Sequence, residues 1–161
     1  MARPARPIGL NRTVASAFWT FRPARASDAK WMAELRAVVL RPDLERLGRF
    51  DPHRVRTRFL AAYVPADTRV IQVADQDAGL VALREEPDAR WIEHFFLRPS
   101  LQGQGIGSEV LRTLLSEPGT APFRLNVLQG SPARRLYDRH GFVTDSEDDV
   151  DVWMTAPALR P

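Results

Sequence analysis

Cysteine is absent from all 161 residues, which excludes disulfides, thiolate zinc sites and cysteine nucleophiles together and makes the cytoplasm the simplest expected compartment. Lysine occurs once, at Lys30, so no nucleotide-binding loop ending in Gly-Lys-Ser or Gly-Lys-Thr is present. The histidines, His53, His94 and His140, show no metal-ligand spacing, and no metal is expected. No apolar run approaches the roughly eighteen residues of a membrane span. The net charge of +3 rests almost wholly on arginine, and acidic residues are interspersed along most of the chain. A nucleic-acid surface needs clustered cations, so neither nucleic acid nor membrane is an expected partner.

What remains is an ordinary globular composition, 44% hydrophobic and 27% charged, in a chain long enough to bury one substantial core. Residues 1–16 carry Arg3, Arg6 and Arg12 without the apolar stretch of a secretory signal. They read as a flexible leader to a domain over 17–156, with a turn-prone tail over 157–161.

Alternation from Phe18 to Arg22 predicts a first strand. Ser27 or Asp28 then caps a helix whose apolar side is Trp31, Leu35, Val38 and Val39. Asp51-Pro52 starts a second helix with Val55, Phe59 and Tyr63 on one face. Val70–Val73, Leu80–Leu83 and Arg90–Leu97 read as an antiparallel meander, with 75–79 as the first hairpin loop. Ile106, Val110, Leu111, Leu114 and Leu115 form the buried stripe of a third helix ended by Pro118-Gly119. A strand over Phe123–Leu128 leads to a short helix with Ser131 as N-cap, Pro132 at its first position and Gly141 at its left-handed end. Phe142-Val143 and Val150–Met154 close as a hairpin around the acidic residues 145–149. The order β-α-α-β-β-β-α-β-α-β-β predicts an α/β fold with a mixed, mostly antiparallel sheet flanked by about four helices.

Between the meander and the third helix lies Gln102-Gly103-Gln104-Gly105-Ile106-Gly107-Ser108. Glycines let backbone amides approach a ligand closely, and the free amides and dipole of a helix start favour a pyrophosphate. A dinucleotide fingerprint needs glycine where Ser108 stands and a parallel strand-helix-strand setting; neither is present.

The segment resembles the central motif of the GNAT superfamily of N-acetyltransferases, which reads Gln or Arg, two residues, Gly, one residue, then Gly or Ala. Gln102, Gly105 and Gly107 match it. The similarity extends back through Phe95-Phe96-Leu97-Arg98-Pro99 and forward to Ser131-Pro132-Ala133-Arg134-Arg135-Leu136-Tyr137, ending in Gly141-Phe142. The second block is similar to the family's Asn-Pro-Ala-Arg-Arg-Leu-Tyr, with Ser131 in place of the Asn that often contacts the cofactor. The resemblance implies a GNAT-like fold and acetyl-CoA as co-substrate, held by Leu97, Arg98, the run from Gln102 to Ser108, Ser131 and Arg134. It further implies direct attack of an amine on the thioester, with a backbone amide near Leu97 polarising the carbonyl and Tyr137 protonating the departing thiolate. A solvated helix face is the alternative for Arg134 and Arg135, and core packing beside Leu136 the alternative for Tyr137.

A protonated amine must lose a proton before it attacks, so a base, often acting through water, is expected. Glu93 is the candidate, because strict alternation places it with Trp91, Phe95 and Leu97, while His94 faces the other side unless a bulge intervenes. A cross-strand salt bridge is the alternative role for Glu93. The acidic loop with Asp151 either attracts a cationic amine or forms a soluble hairpin tip. Trp31, Trp91 and Trp153 are expected to pack in the core, and the connection over 41–54 covers the acceptor side in the family.

The combined expectation is an acetyl-CoA-dependent N-acetyltransferase acting on a primary amine of a small molecule or peptide, with a homodimer as a common assembly in the resembled family. The alternative is a non-catalytic acyl-CoA-binding regulatory module. Nothing in the sequence selects the acceptor.

Overall fold

A computed structural model of the chain describes residues 18–159; the expected leader over 1–16 lies outside them. The described residues form β1 (Trp19–Pro23), α1 (Ala29–Arg46), α2 (Pro52–Ala62), β2 (Thr68–Val73), β3 (Gln76–Glu85), β4 (Arg90–Leu97), α3 (Ile106–Leu115), β5 (Phe123–Leu128), α4 (Ala133–Arg139), β6 (Val143–Glu147) and β7 (Asp151–Ala156). The seven strands make one sheet in the order β1-β2-β3-β4-β5-β7-β6. All neighbours run antiparallel except β4 and β5, which are parallel. The expected element order and mixed, mostly antiparallel sheet are both present.

Each face of the sheet carries its own core. One buries the stripe of α3 (Ile106, Val110, Leu111, Leu114 and Leu115) against Ile71, Val81, Leu83, Ile92, Leu97, Leu125 and Val127, with Tyr137 and Phe142 from the α4 region. Each fully buried aliphatic side chain there contributes roughly 1.5–3 kcal/mol. The other face packs Met32, Ala33 and Leu35 of α1 and Phe59 of α2 on Val70, Leu80 and Phe96.

At the start of α1, Asp28 caps through other groups than the helix amides. Its carboxylate accepts from Arg22 Nη1 and Nη2 at 2.9 and 2.8 Å, from Trp31 Nε1 at 2.9 Å and from the Arg25 amide at 2.8 Å. Arg22 also donates to Asp77 from Nε and Nη2 at 3.0 and 2.7 Å. One guanidinium thereby ties β1, the start of α1 and the start of β3 together. Asp51 caps α2 as expected, accepting from the His53 and Arg54 amides at 2.9 and 2.8 Å.

Several boundaries differ from the sequence expectation. α1 continues through Pro42 to Arg46, so the connection over 41–54 shrinks to 47–51. Proline removes one ladder donor on an exposed face, and the last turn is held by Arg46 Nη1 donating to buried Asp43 at 2.6 Å and by Arg46 reaching the Gln129 carbonyl. The β2–β3 loop is Ala74–Asp75 alone, both left-handed at φ 50° and 62°. That matches the twist of a two-residue hairpin turn, so β3 begins at Gln76 rather than after 79. Ser131 sits one place further from α4 than a simple N-cap; its Oγ accepts from the Ala133 amide at 3.2 Å, and Pro132 occupies the cap position. Trp91 and Trp153 are half-buried and line a cavity of ≈ 270 Å³ with Arg124 and Asp145 instead of filling the main core. The period-two pattern marked them as inward, but their face of the sheet is one that no helix fully covers.

The difference that matters most is in β4. Leu80 pairs with Phe96 and Ala82 with Glu93, so the single residue Val81 opposes both His94 and Phe95. This is a β-bulge, with His94 left-handed at φ 49°. The extra residue flips the parity of everything beyond it. Glu93 does not share a face with Phe95 and Leu97, as strict alternation would have it. It lies with Trp91 on the α1–α2 face, where His94 also stacks edge-on against Phe59 at 5.0 Å.

Candidate active site

β4 and β5 pair only at Arg90–Phe123 and Trp91–Arg124. Beyond Trp91 they diverge, because β5 continues along β7 through Leu128 while β4 stays with β3 through the bulge to Leu97. Buried Arg90 pins the closed end, its guanidinium 3.7 Å over the Phe123 ring and donating to the Ala121 and Glu117 carbonyls at 3.1 Å each. The result is a V-shaped opening through the sheet.

Backbone polarity lines that opening. The Arg98 amide donates to the Ala78 carbonyl at 2.9 Å. In an antiparallel ladder the neighbouring residue then turns its amide to the opposite edge, so Leu97 N–H points toward β5, where no ladder continues. The Leu97 carbonyl is engaged by Gln102 Nε2 at 3.0 Å, which fixes the loop to the strand end.

The loop itself is built for backbone exposure. Gly103 and Gly105 are left-handed at φ 73° and 89°, with open space around both. Gly105 is the N-cap of α3 and offers no side chain, so the amides of Ile106, Gly107 and Ser108 in the first turn carry no capping group. Gln104 folds back on the Ser100 carbonyl at 2.8 Å. A Cβ on Gly107 would lie 3.6 Å from Leu136, 3.8 Å from Leu97 and 3.9 Å from Phe95, which shows how closely α3, α4 and the end of β4 converge. Ser108 Oγ is 2.7 Å from His140 Nε2, joining α3 to the end of α4.

Tyr137 enters the same cluster as Leu97, 7% exposed, with its ring 5.7 Å from Phe142. Among the described residues its hydroxyl has no hydrogen-bond partner. Burial raises its pKa well above the ordinary phenol value, so it stays protonated.

On the opposite face, Glu93 is paired with Arg84 across the β3–β4 ladder, Nη2 to Oε1 at 2.8 Å and Nε to Oε1 at 3.2 Å. The sequence marked both the salt-bridge role and Glu93 itself, but not Arg84, which opposes Trp91 in the ladder and reaches Glu93 diagonally. Beside them, burial together with the nearby Arg36 charge lowers the His94 pKa to about 4. The unfolded chain binds this proton near pH 6.5, so stability from His94 declines as pH falls from about 6.5 to about 4. An NMR pH titration is expected to find the His94 imidazole neutral at pH 6; a midpoint near 6.5 would contradict this environment.

The remaining expected ligand residues stand apart. Arg134 Nη2 donates to Thr144 Oγ1 at 3.0 Å and lies 3.8 Å from Glu147, directed at β6. Arg98 Nε donates to the Asp77 carbonyl at 2.9 Å. Among the described residues no group of three or more His, Asp or Glu side chains could hold a metal ion, and no helix is long and apolar enough to cross a membrane.

Residues 65–144 match the model of the acetyltransferase (GNAT) domain family. No curated protein matches the sequence. Among solved structures, the chain is similar to the PaiA N-acetyltransferase of Thermoplasma acidophilum in complex with coenzyme A, with TM-score 0.70 at 16% identity over 87% of this chain and 99% of that one. It is also similar to the ribosomal-protein-S18-alanine N-acetyltransferase of Escherichia coli, with TM-score 0.67 at 16% identity over 89% and 96% of the two chains. For an N-acetyltransferase of Staphylococcus aureus the values are 0.65, 18%, 85% and 100%. At such identities these likenesses establish the fold, and the match over 65–144 adds the family. By that match, the chain belongs to the GNAT acetyltransferase superfamily.

Proposed function

We propose that the protein transfers the acetyl group of acetyl-CoA directly to a primary amine within a ternary complex. The observation that carries this reading is the V between β4 and β5, which lies beside the uncapped start of α3. In this reading the pyrophosphate sits on the amides of Ile106, Gly107 and Ser108, with Gly103 and Gly105 providing the close approach. The thioester carbonyl lies in the V, where the Leu97 amide polarises it. The amine enters from the α1–α2 face and the thiolate leaves toward α4, so the base and the acid belong on opposite faces, as Glu93 and Tyr137 are.

Glu93 takes the amine's proton, directly or through one water, while Arg84 holds its carboxylate in place. Tyr137 returns a proton to the sulfur. Its raised pKa does not forbid the step, because the same desolvation also destabilises the thiolate it protonates. Holding both reactants in line removes several kcal/mol from the barrier. Arg134 and Ser131 are assigned to the cofactor side only after a change of partner, since both side chains are already occupied within α4 and β6.

Release of free thiol from acetyl-CoA on addition of a primary-amine panel tests the reading. Amine-dependent release supports transfer, and tight coenzyme A binding without release by any amine favours the regulatory-module alternative. Two variants test the parts. Glu93→Gln is expected to lower kcat by about 10²-fold and to remove the acid-side limb of the pH–rate profile; an unchanged profile would take the base role from Glu93. Gly105→Ala places a side chain at φ 89°, a strain of about 1–2 kcal/mol that the loop relieves by moving. Calorimetric titration is expected to show acetyl-CoA binding weakened by up to about tenfold, and undiminished affinity would separate this loop from the cofactor.

A further inference from the structure

The seam between α1, α2 and the sheet is built mainly on the apolar cluster of Met32, Ala33, Leu35, Phe59, Val70, Leu80 and Phe96, and one guanidinium enters it. Met32, Arg36, Val39 and Asp43 follow helical spacing along the side of α1 that faces the sheet. Met32 is fully buried there against the cluster of Phe59, Leu80 and Phe96. Arg36, one turn on, has its Nε buried with no hydrogen-bond partner, and among the described residues it has no carboxylate partner either. Arg22, by contrast, is held by two aspartates, while Arg90 donates to loop carbonyls but keeps a buried Nη2 without a partner, and Arg124 likewise has a buried Nε without one. Burial and the neighbouring positive Arg58 both disfavour the charge on Arg36. An uncompensated buried cation is costly, and the usual remedy is a counter-ion.

The position of this cation is informative. It belongs to the face on which Glu93 and His94 lie at the β4 bulge, and its charge is felt at His94. The helix α3, whose start offers the pyrophosphate cradle, packs on the opposite face of the sheet from α1. Across the same face, carboxylates face inward from the sheet: Glu93 at the bulge and Asp151 of β7, which accepts from Asn126 Nδ2 at 2.8 Å. This side of the molecule is therefore dipolar, with Arg36 and Arg58 on the helices and carboxylates on the strands.

We propose that the acceptor is an amine that also bears a carboxylate, an amino acid or a close relative, and that Arg36 receives this carboxylate while the amine is delivered to Glu93. The planar guanidinium presents paired N–H donors that match a carboxylate. The proposal rests on the acetyl-transfer reading for its chemistry, but not for the anion site itself.

The test compares matched acceptors: phenylalanine with phenethylamine, lysine with cadaverine and arginine with agmatine, together with an aminophosphonate analogue. For the best pair the amino acid is expected to exceed the decarboxylated amine by about 10–100-fold in kcat/KM, the worth of one hydrogen-bonded charge. In Arg36→Met the ratio is expected to collapse toward one through KM, while Arg36→Lys recovers part of it. Equal turnover of both members in the parent protein overturns the inference without any variant and leaves amine acetylation standing. A preference that follows Arg124→Met, or one for the phosphonate, also overturns it. Calorimetric binding of the same amino acids to the coenzyme A complex separates the two levels. Arg36-dependent binding without turnover of any amine refutes the transfer reading and keeps the carboxylate site, and binding unaffected in Arg36→Met refutes the site. Removal of an unpaired buried charge should not lower the melting temperature of Arg36→Met, which checks that the variant is folded.

Discussion

Tyr137→Phe is expected to reduce kcat by about 10²-fold or more while the KM for acetyl-CoA stays close to that of the parent protein. The substitution keeps the buried ring and its edge contact with Phe142. It deletes only a hydroxyl that bonds to nothing among the described residues. A structural hydroxyl would betray itself by a loss of stability on deletion. Here the melting temperature is expected to hold, because the hydroxyl removed has no protein partner among the described residues. Steady-state kinetics with paired thermal melts separate the two roles: unchanged turnover would strip Tyr137 of the acid role, and a lowered melting temperature would reassign it to packing.

The second large effect is on stability. Asp28 is 6% exposed and accepts four hydrogen bonds, two from Arg22, one from Trp31 and one from the Arg25 amide. Asp28→Ala leaves those donors without their acceptor and is expected to cost roughly 3 kcal/mol. For a chain of this length that corresponds to a drop in Tm of roughly 6–12 °C. The Arg22 guanidinium holds the Asp28 carboxyl well below the usual carboxylate range. A carboxylate with a depressed folded-state pKa stabilises fully above the unfolded value of about 3.9 and loses that contribution as pH falls below it. Melting curves of parent and variant should therefore be well separated at pH 7 and converge as pH drops from about 4 toward 2. A constant gap across that range would mean that the loss is packing and not charge.

The sequence was most legible where one local rule decided the outcome. The α3 stripe at Ile106, Val110, Leu111, Leu114 and Leu115 follows from period 3.6. Asp51-Pro52 and Gly141 mark helix ends through their own backbone chemistry, and both occupy those positions, Gly141 at φ 86°. The glycine loop was legible for the same reason, since left-handed φ at Gly103 and Gly105 is a property of the residues themselves.

Long-range geometry was not legible. The bulge at His94–Phe95 has no local signature: it appears only once Leu80 and Ala82 are matched to Phe96 and Glu93. Alternation alone therefore put Glu93 on the same face as Leu97, and the structure puts the two on opposite faces. Likewise, Arg84 as the partner of Glu93 depends on cross-strand register, and Arg36 as an unpaired cation depends on what α2 and the sheet fail to supply. A charged residue in the middle of the apolar stripe of α1 was the one available signal for Arg36. The divergence of β4 from β5 is a property of the whole sheet, set by β7 drawing β5 away.

The account stands on the claim that this opening holds the cofactor's reactive end between the Leu97 amide and Tyr137. A crystal structure with coenzyme A bound tests it most directly. The account predicts the pyrophosphate on the amides of Ile106, Gly107 and Ser108, the pantetheine arm in the β4–β5 opening, and the sulfur within hydrogen-bonding reach of the Tyr137 hydroxyl. Coenzyme A bound elsewhere, or a sulfur emerging beside Arg134 and β6 with Tyr137 still enclosed, would contradict it.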